Sequence, residues 1–296
     1  MNAKKFTLIL VIMFLMGLFN FSLANTSEYI YLEMGTRYFY EQDYPKAIEN
    51  FSKAIELNPN ASKIYSARAS AYSNSGRELQ AIADCTKALQ LDANNEFAYV
   101  IRGSIYFNNE DLIKAMSDLN AAINLNTKNY KAYFIRGMIF YQQKNYQNAL
   151  NDYNKALEIN SNDFEIYYNR GLVYHQQRQD QKAVEDFTQT INLNSNFAPP
   201  YNYRGTCYYY QGKYQEAIME FTKAINLDKD YIDPYLGRGL AYRQQGQYQE
   251  SIADYTKAIE LNPTLSTAYR GRAMAYEKVN DKASAKQDLL MAVMFK

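Results

Sequence analysis

YPKAIENFSKAIELNP, residues 44–59, returns as YQEAIMEFTKAINLD over 214–228 and as YQESIADYTKAIELNP over 248–263. The three copies are in register with a period of 34 residues. Counting outward from them, repeats begin at Glu28, Ser62, Glu96, Tyr130, Phe164, Ala198, Ile232 and Ser266, without insertion or deletion. The eighth stops three residues short, at Lys296. Self-similarity at this spacing is the mark of a stacked-repeat architecture, in which one supersecondary unit cannot bury its apolar face alone.

Within each repeat, position 4 is always Tyr, from Tyr31 and Tyr65 to Tyr269. Position 8 is Gly or Ala, as at Gly35, Ala69 and Gly137, and position 11 is aromatic, as at Tyr38 and Phe140. Steps of four and three put all of them on one helical face. In the second half of the repeat, position 20 is small (Ala47, Ala149, Ser251) and position 24 is mostly bulky (Phe51, Tyr153, Phe187, Phe221, Tyr255). Small residues facing large ones let two helices approach and interdigitate, and Pro59 and Pro263 end the second helix. Each repeat is therefore expected to be an antiparallel pair, helix A then helix B.

This pattern resembles the tetratricopeptide repeat, and the resemblance covers residues 28–296. It implies an all-α, right-handed superhelical solenoid of antiparallel helix pairs, and a scaffold that binds other polypeptides. Fold of this kind does not name the partner.

Position 7 is Arg in repeats two to eight (Arg68, Arg102, Arg136, Arg170, Arg204, Arg238, Arg272). Position 23 in the same repeats is acidic (Asp84, Asp118, Asp152, Asp186, Glu220, Asp254, Asp288). Repeat one has neither, carrying Met34 and Asn50. An Arg that goes missing together with its carboxylate behaves as half of a pair, so these residues are read as internal braces rather than a ladder for anionic ligands.

The chain has 30 Tyr and 15 Phe, and the repeat's packing positions absorb most of the Tyr. Tyr29, Phe39, Tyr40, Phe97, Phe107, Phe134, Tyr141, Tyr168, Tyr209 and Tyr210 fall at positions 2, 5, 12 and 13. In proteins of the family those positions line the concave face of helix A, which makes these ten the expected protein-binding groove. Amides at Asn74, Asn108, Asn202, Gln142, Gln176 and Gln244 interleave with them and suit a peptide backbone. Some members grip a C-terminal carboxylate with Lys and Asn at positions 5 and 9; here those positions read Leu32 and Thr36, Ser66 and Ser70, Phe134 and Met138. A cytosolic co-chaperone role is disfavoured by that departure. In the last helix B, positions otherwise polar or Ala become Leu290, Met291 and Met294, followed by Phe295. That apolar edge is read as a contact surface for self-association or partner docking.

Residues 1–24 read as an export signal: Lys4 and Lys5, an apolar core over 6–19, and a small-x-small site at Ser22-Leu23-Ala24. An uncleaved anchor over 6–23 is the alternative. Either reading places residues 25–296 outside the cytoplasm, periplasmic, secreted or membrane-anchored, with membrane contact only if the segment is retained. Lys plus Arg total 32 against 31 acids, a balance that favours neither nucleic acid nor an anionic membrane.

No Gly-rich phosphate loop, His cluster or nucleophile motif stands out, so the chain is not expected to be an enzyme or to need a cofactor or metal. His175 is the single histidine, too few for a stable metal site by that count. Cys85 and Cys207 lie more than three repeats apart and are read as small packing residues rather than a disulfide. The functional expectation is an exported interaction scaffold that could organise an envelope or secretion complex. Its alternatives are a secreted factor acting on a host protein and a glycan-binding solenoid.

Overall fold

The computed structural model describes residues 26–295, and the signal or anchor expected within 1–24 lies outside them. Sixteen α-helices and no strand occur among the described residues. They fall into two compact units, one ending at Ser161 and one beginning at Asn162.

The first unit holds α1 (Thr26–Tyr40), α2 (Tyr44–Leu57), α3 (Ser62–Asn74), α4 (Glu78–Leu91), α5 (Glu96–Asn108), α6 (Leu112–Leu125), α7 (Tyr130–Gln142) and α8 (Tyr146–Ile159). The second holds α9 (Phe164–Gln176), α10 (Asp180–Leu193), α11 (Pro199–Tyr210), α12 (Tyr214–Leu227), α13 (Ile232–Gln244), α14 (Tyr248–Leu261), α15 (Ser266–Lys278) and α16 (Lys282–Met294). Odd-numbered helices are helix A of a repeat, even-numbered ones helix B. In each unit every A packs on its own B, every B on the next A, and neighbouring A helices touch along a row. Among the described residues, no helix is long and apolar enough to cross a membrane.

The turn between A and B is the same in all eight repeats. The backbone N–H of position 16 donates to the carbonyl of position 11, as from Asp43 to Tyr38 (2.9 Å) and from Arg77 to Tyr72 (2.8 Å). This six-to-one closure needs a left-handed residue at position 15. Gly76, Gly212 and Gly246 supply it freely, whereas Gln42, Glu110, Lys144 and Arg178 adopt φ near +60° with a side chain in place.

The expected small-against-large contact is the centre of each pair. A Cβ on Gly137 would come within 2.6 Å of the Tyr153 ring, and one on Gly171 within 2.8 Å of Phe187. In repeat two the large residue has shrunk to Cys85, and position 8 is Ala69; both are fully buried. Volume is thus traded across one contact, as close packing requires.

The position-4 tyrosines fasten the turn between repeats. The hydroxyl of Tyr65 donates to the carbonyl of Pro59 (3.3 Å), that of Tyr201 to Ser195 (3.1 Å) and that of Tyr269 to Pro263 (3.1 Å). Each reaches from its own helix A to the end of the preceding repeat.

The arginine ladder is internal, as its co-occurrence with the acids implied. All seven guanidiniums pair with the acid of their own repeat at 2.7–2.8 Å. A further nitrogen reaches back: Arg68 to Ser52, Arg102 to Thr86 and Arg136 to Asn120 in the first unit, Arg204 to Thr188, Arg238 to Thr222 and Arg272 to Thr256 in the second. Position 25 is therefore an acceptor site for the next repeat, a role that sequence reading had not assigned to it.

Candidate functional site: the helix A face

The ten expected groove aromatics differ in how far they reach solvent, even where they share a repeat position. Tyr29 (43% exposed) and Tyr210 (53% exposed) stand out from the surface. Tyr40, Phe97, Phe107, Tyr141, Tyr168 and Tyr209 are half-buried. Phe39 and Phe134 are core residues, 4% and 3% exposed, and their assignment to the groove is corrected. Phe39 is sealed edge-on by Tyr40 and Tyr44 at 5.7–6.2 Å. Phe134, at position 5, is turned against the ring of Tyr153 on helix B of its own repeat, at 6.0 Å.

Two of the expected amides also change role. Asn202 is buried and donates to the Tyr231 hydroxyl at 3.1 Å, and Asn74 donates to the Ser70 carbonyl at 2.7 Å. Asn108, Gln142, Gln176 and Gln244 are exposed.

In the second unit the aromatics join. Tyr168 meets Phe197 edge-on at 5.0 Å and Tyr203 at 6.1 Å, and Tyr203 stacks on Phe187 at 5.7 Å. Tyr209 contacts both Tyr210 and Tyr214, and its hydroxyl accepts from Gln244 of the next helix A at 3.2 Å. The guanidinium of Arg178 lies 4.5 Å above the Tyr210 ring. The surface here consists of fixed rings with an amide and a cation at their rim. Such a surface gives a ligand contact area at small entropic cost and can bond its backbone.

His175 sits beside this surface, and here the structure adds residues that sequence reading missed. Its Nδ1 lies 3.6 Å from the Sγ of Cys207 and 3.8 Å from Oδ1 of Asp180. Burial lowers the imidazole pKa, with Asp180 opposing the shift, and burial pushes the Cys207 thiol up to about 12. Cys207 and Cys85 are both free and buried.

At the last helix, Leu290 (60%) and Met294 (72%) are exposed, together with Leu289 and Val293. Met291 is half-buried, and Phe295 is folded back onto Tyr269, its ring stacked at 5.8 Å.

Comparison with known proteins agrees with this geometry. A family model described as TPR repeat matches residues 35–76, 137–178 and 205–246. Two described as tetratricopeptide repeat match 232–265, and 62–95, 98–129 and 164–197. Hsp70-Hsp90 organizing protein 1 of Arabidopsis thaliana is 48% identical over 44 residues, which span 15% of this chain and 8% of that protein. The chain thus matches less than a tenth of that relative's length. Among solved structures, a functionally characterised pilF of Pseudomonas aeruginosa aligns with a TM-score of 0.63 at 17% identity, over 75% of this chain and 97% of that one. YrrB, described as a TPR protein with an unusual peptide-binding site, aligns at 0.56 with 21% identity, over 62% and 95%. Cut9-Hcn1 aligns at 0.61 with 15% identity, over 90% and 52%. At these identities the structural likeness speaks for the fold alone. Eight helix pairs in a 34-residue period, matched by repeat models along most of their length, place this chain in the tetratricopeptide-repeat family.

Proposed function

We propose that the chain is an exported interaction scaffold that holds a peptide or protein segment on the helix A face of its second unit. The observation that carries this reading is the run of ring contacts from Tyr168 through Tyr203 and His175 to the half-exposed Tyr210 and on to Tyr209, edged by Gln244 and Arg178. Rigid aromatic area with adaptable polar groups at the edge is what hot spots for polypeptides are made of. The family is one of binding scaffolds, and YrrB shows that a protein of this fold can carry a peptide site. Organising an envelope or secretion complex is the narrower form of the proposal. The test is a crosslinking pull-down with the full chain against one carrying Tyr209→Ala and Tyr210→Ala. Partner recovery falls at least tenfold if the face is the site; equal recovery moves the site elsewhere.

The edge of α16 enters the same proposal as a surface for a second copy. Where repeats two to eight carry Arg at position 7, the first carries Met34; where position 25 is elsewhere Ser, Thr or Asn, the last carries Leu290. The polar contact that joins neighbouring repeats is replaced by an apolar residue on both sides, which fits α1 of one copy against α16 of another. Such a contact is head-to-tail and can propagate. Sedimentation should show association that Leu290→Lys with Met294→Lys abolishes; a wild-type monomer at all concentrations removes this part of the proposal.

A further inference from the structure

Three side chains with lone pairs converge in the second unit without enough protons to satisfy them. His175 ends α9, Asp180 opens α10 and Cys207 lies on α11, so the three come from three helices and two repeats. Their ligand atoms all lie within 4.8 Å of one another. The Cys207 thiol can give one proton to Nδ1 of His175. Oδ1 of Asp180 is buried without a hydrogen-bond partner, and at 3.8 Å it is too far from Nδ1 for a good bond. A buried carboxylate oxygen with no partner is costly unless something else completes the site.

The repeat itself marks the place as exceptional. At positions 12 and 17 the first, fourth and sixth repeats carry touching rings: Phe39 with Tyr44 (5.7 Å), Tyr141 with Tyr146 (6.0 Å) and Tyr209 with Tyr214 (5.5 Å). In the fifth repeat that pair is His175 and Asp180. Position 10 is elsewhere Arg37, Ala or a branched aliphatic residue, and only in the sixth repeat is it Cys207. Packing alone does not call for this trio.

We infer that His175 Nδ1, Asp180 and Cys207 Sγ form a binding site for a single zinc ion, with the fourth coordination position open. Bond lengths of zinc to sulfur and imidazole nitrogen, set at a tetrahedral angle, require these two atoms about 3.6 Å apart. The observed separation of 3.6 Å meets that, and the carboxylate, 3.8 Å from Nδ1 and within 4.8 Å of Sγ, must swing in toward both to complete the set. Thiolate and imidazole select a borderline-soft cation over magnesium or calcium. Coordination releases the Cys207 proton to solvent and leaves thiolate, carboxylate and divalent ion with no net charge, which suits a half-buried place. The Arg178 guanidinium opposes the cation, but it is drawn onto the Tyr210 ring. A metal here would tie the fifth repeat to the sixth and fix the rings of the proposed binding face.

Cobalt(II) titration of the chelator-treated full chain tests the site by spectroscopy. One equivalent should bind with tetrahedral visible bands and a thiolate-to-cobalt charge-transfer band, and zinc should bleach both. Cys207→Ser should remove the charge-transfer band, Asp180→Asn should weaken cobalt binding at least tenfold, and Cys85→Ser should leave the spectrum unchanged. Circular dichroism of Asp180→Asn, a change at a partly exposed helix start, checks that folding is intact. No charge-transfer band in the wild type, or a band that survives Cys207→Ser, overturns the assignment.

Discussion

Arg102 holds Asp118 through two parallel hydrogen bonds, Nε to Oδ2 and Nη2 to Oδ1, each 2.8 Å long. The remaining nitrogen reaches Thr86 in the preceding repeat at 3.1 Å. One side chain thus joins helix A to helix B and one repeat to the next. Because the carboxylate is nearly buried, Arg102→Ala leaves an unpaired charge and should cost about 3 kcal/mol. Arg102→Lys should recover only part of that, since an ammonium cannot make the planar fork. Urea unfolding of the three proteins checks the order, and a broadened transition in the Ala variant would report repeats coming apart.

Tyr153 and Tyr255 carry buried hydroxyls without hydrogen-bond partners, at the position where Phe51, Phe187 and Phe221 stand in other repeats. Tyr153→Phe should therefore raise stability, by about 1 kcal/mol, whereas Tyr153→Ala should lose about 4 kcal/mol. Thermal unfolding distinguishes the two signs.

Burial also pushes the Tyr255 hydroxyl from 10.0 to about 12. A group whose pKa is raised by folding contributes stability that is full below its unfolded value and is lost as pH rises through the folded one. Stability should fall between pH 10 and 12, and Tyr255→Phe should shrink that fall, as followed by circular dichroism.

Gly137→Ala places a methyl within 2.6 Å of the Tyr153 ring and should cost about 2 kcal/mol. In a Tyr153→Cys background, which copies the Ala69 and Cys85 pairing, the same change should cost little. A double-mutant cycle measures the coupling, and additivity would mean that the two residues do not share the contact.

Glu110 holds φ at +60° in the turn where Gly76 and Gly212 stand in other repeats. Glu110→Gly should stabilise the chain by about 0.5 kcal/mol, the relief of left-handed strain exceeding the added freedom of the unfolded chain. Urea midpoints of the two proteins decide the sign.

What recurs with the period was legible. Gly137 against Tyr153 and Arg102 against Asp118 are written several times over, so a single chain reveals them as correlated positions. The groove list was less accurate because a position number fixes direction on helix A but not what covers it: Phe39 and Phe134 share positions with half-exposed Tyr209 and Tyr168 yet are sealed by neighbouring rings. The trio of His175, Asp180 and Cys207 was invisible for the opposite reason. It occurs once, crosses from one repeat to the next, and has no spacing that local helix geometry would flag.

The proposed binding surface is the helix A face and not the helices B. Leu79 and Ile113, 82% and 86% exposed on α4 and α6, are the apolar alternatives. Photocrosslinking in producing cells, with benzoylphenylalanine replacing Tyr210 in one strain and Leu79 in another, compares the two surfaces directly. A defined adduct from position 210 and none from position 79 is the predicted result; an adduct from position 79 alone would contradict the account.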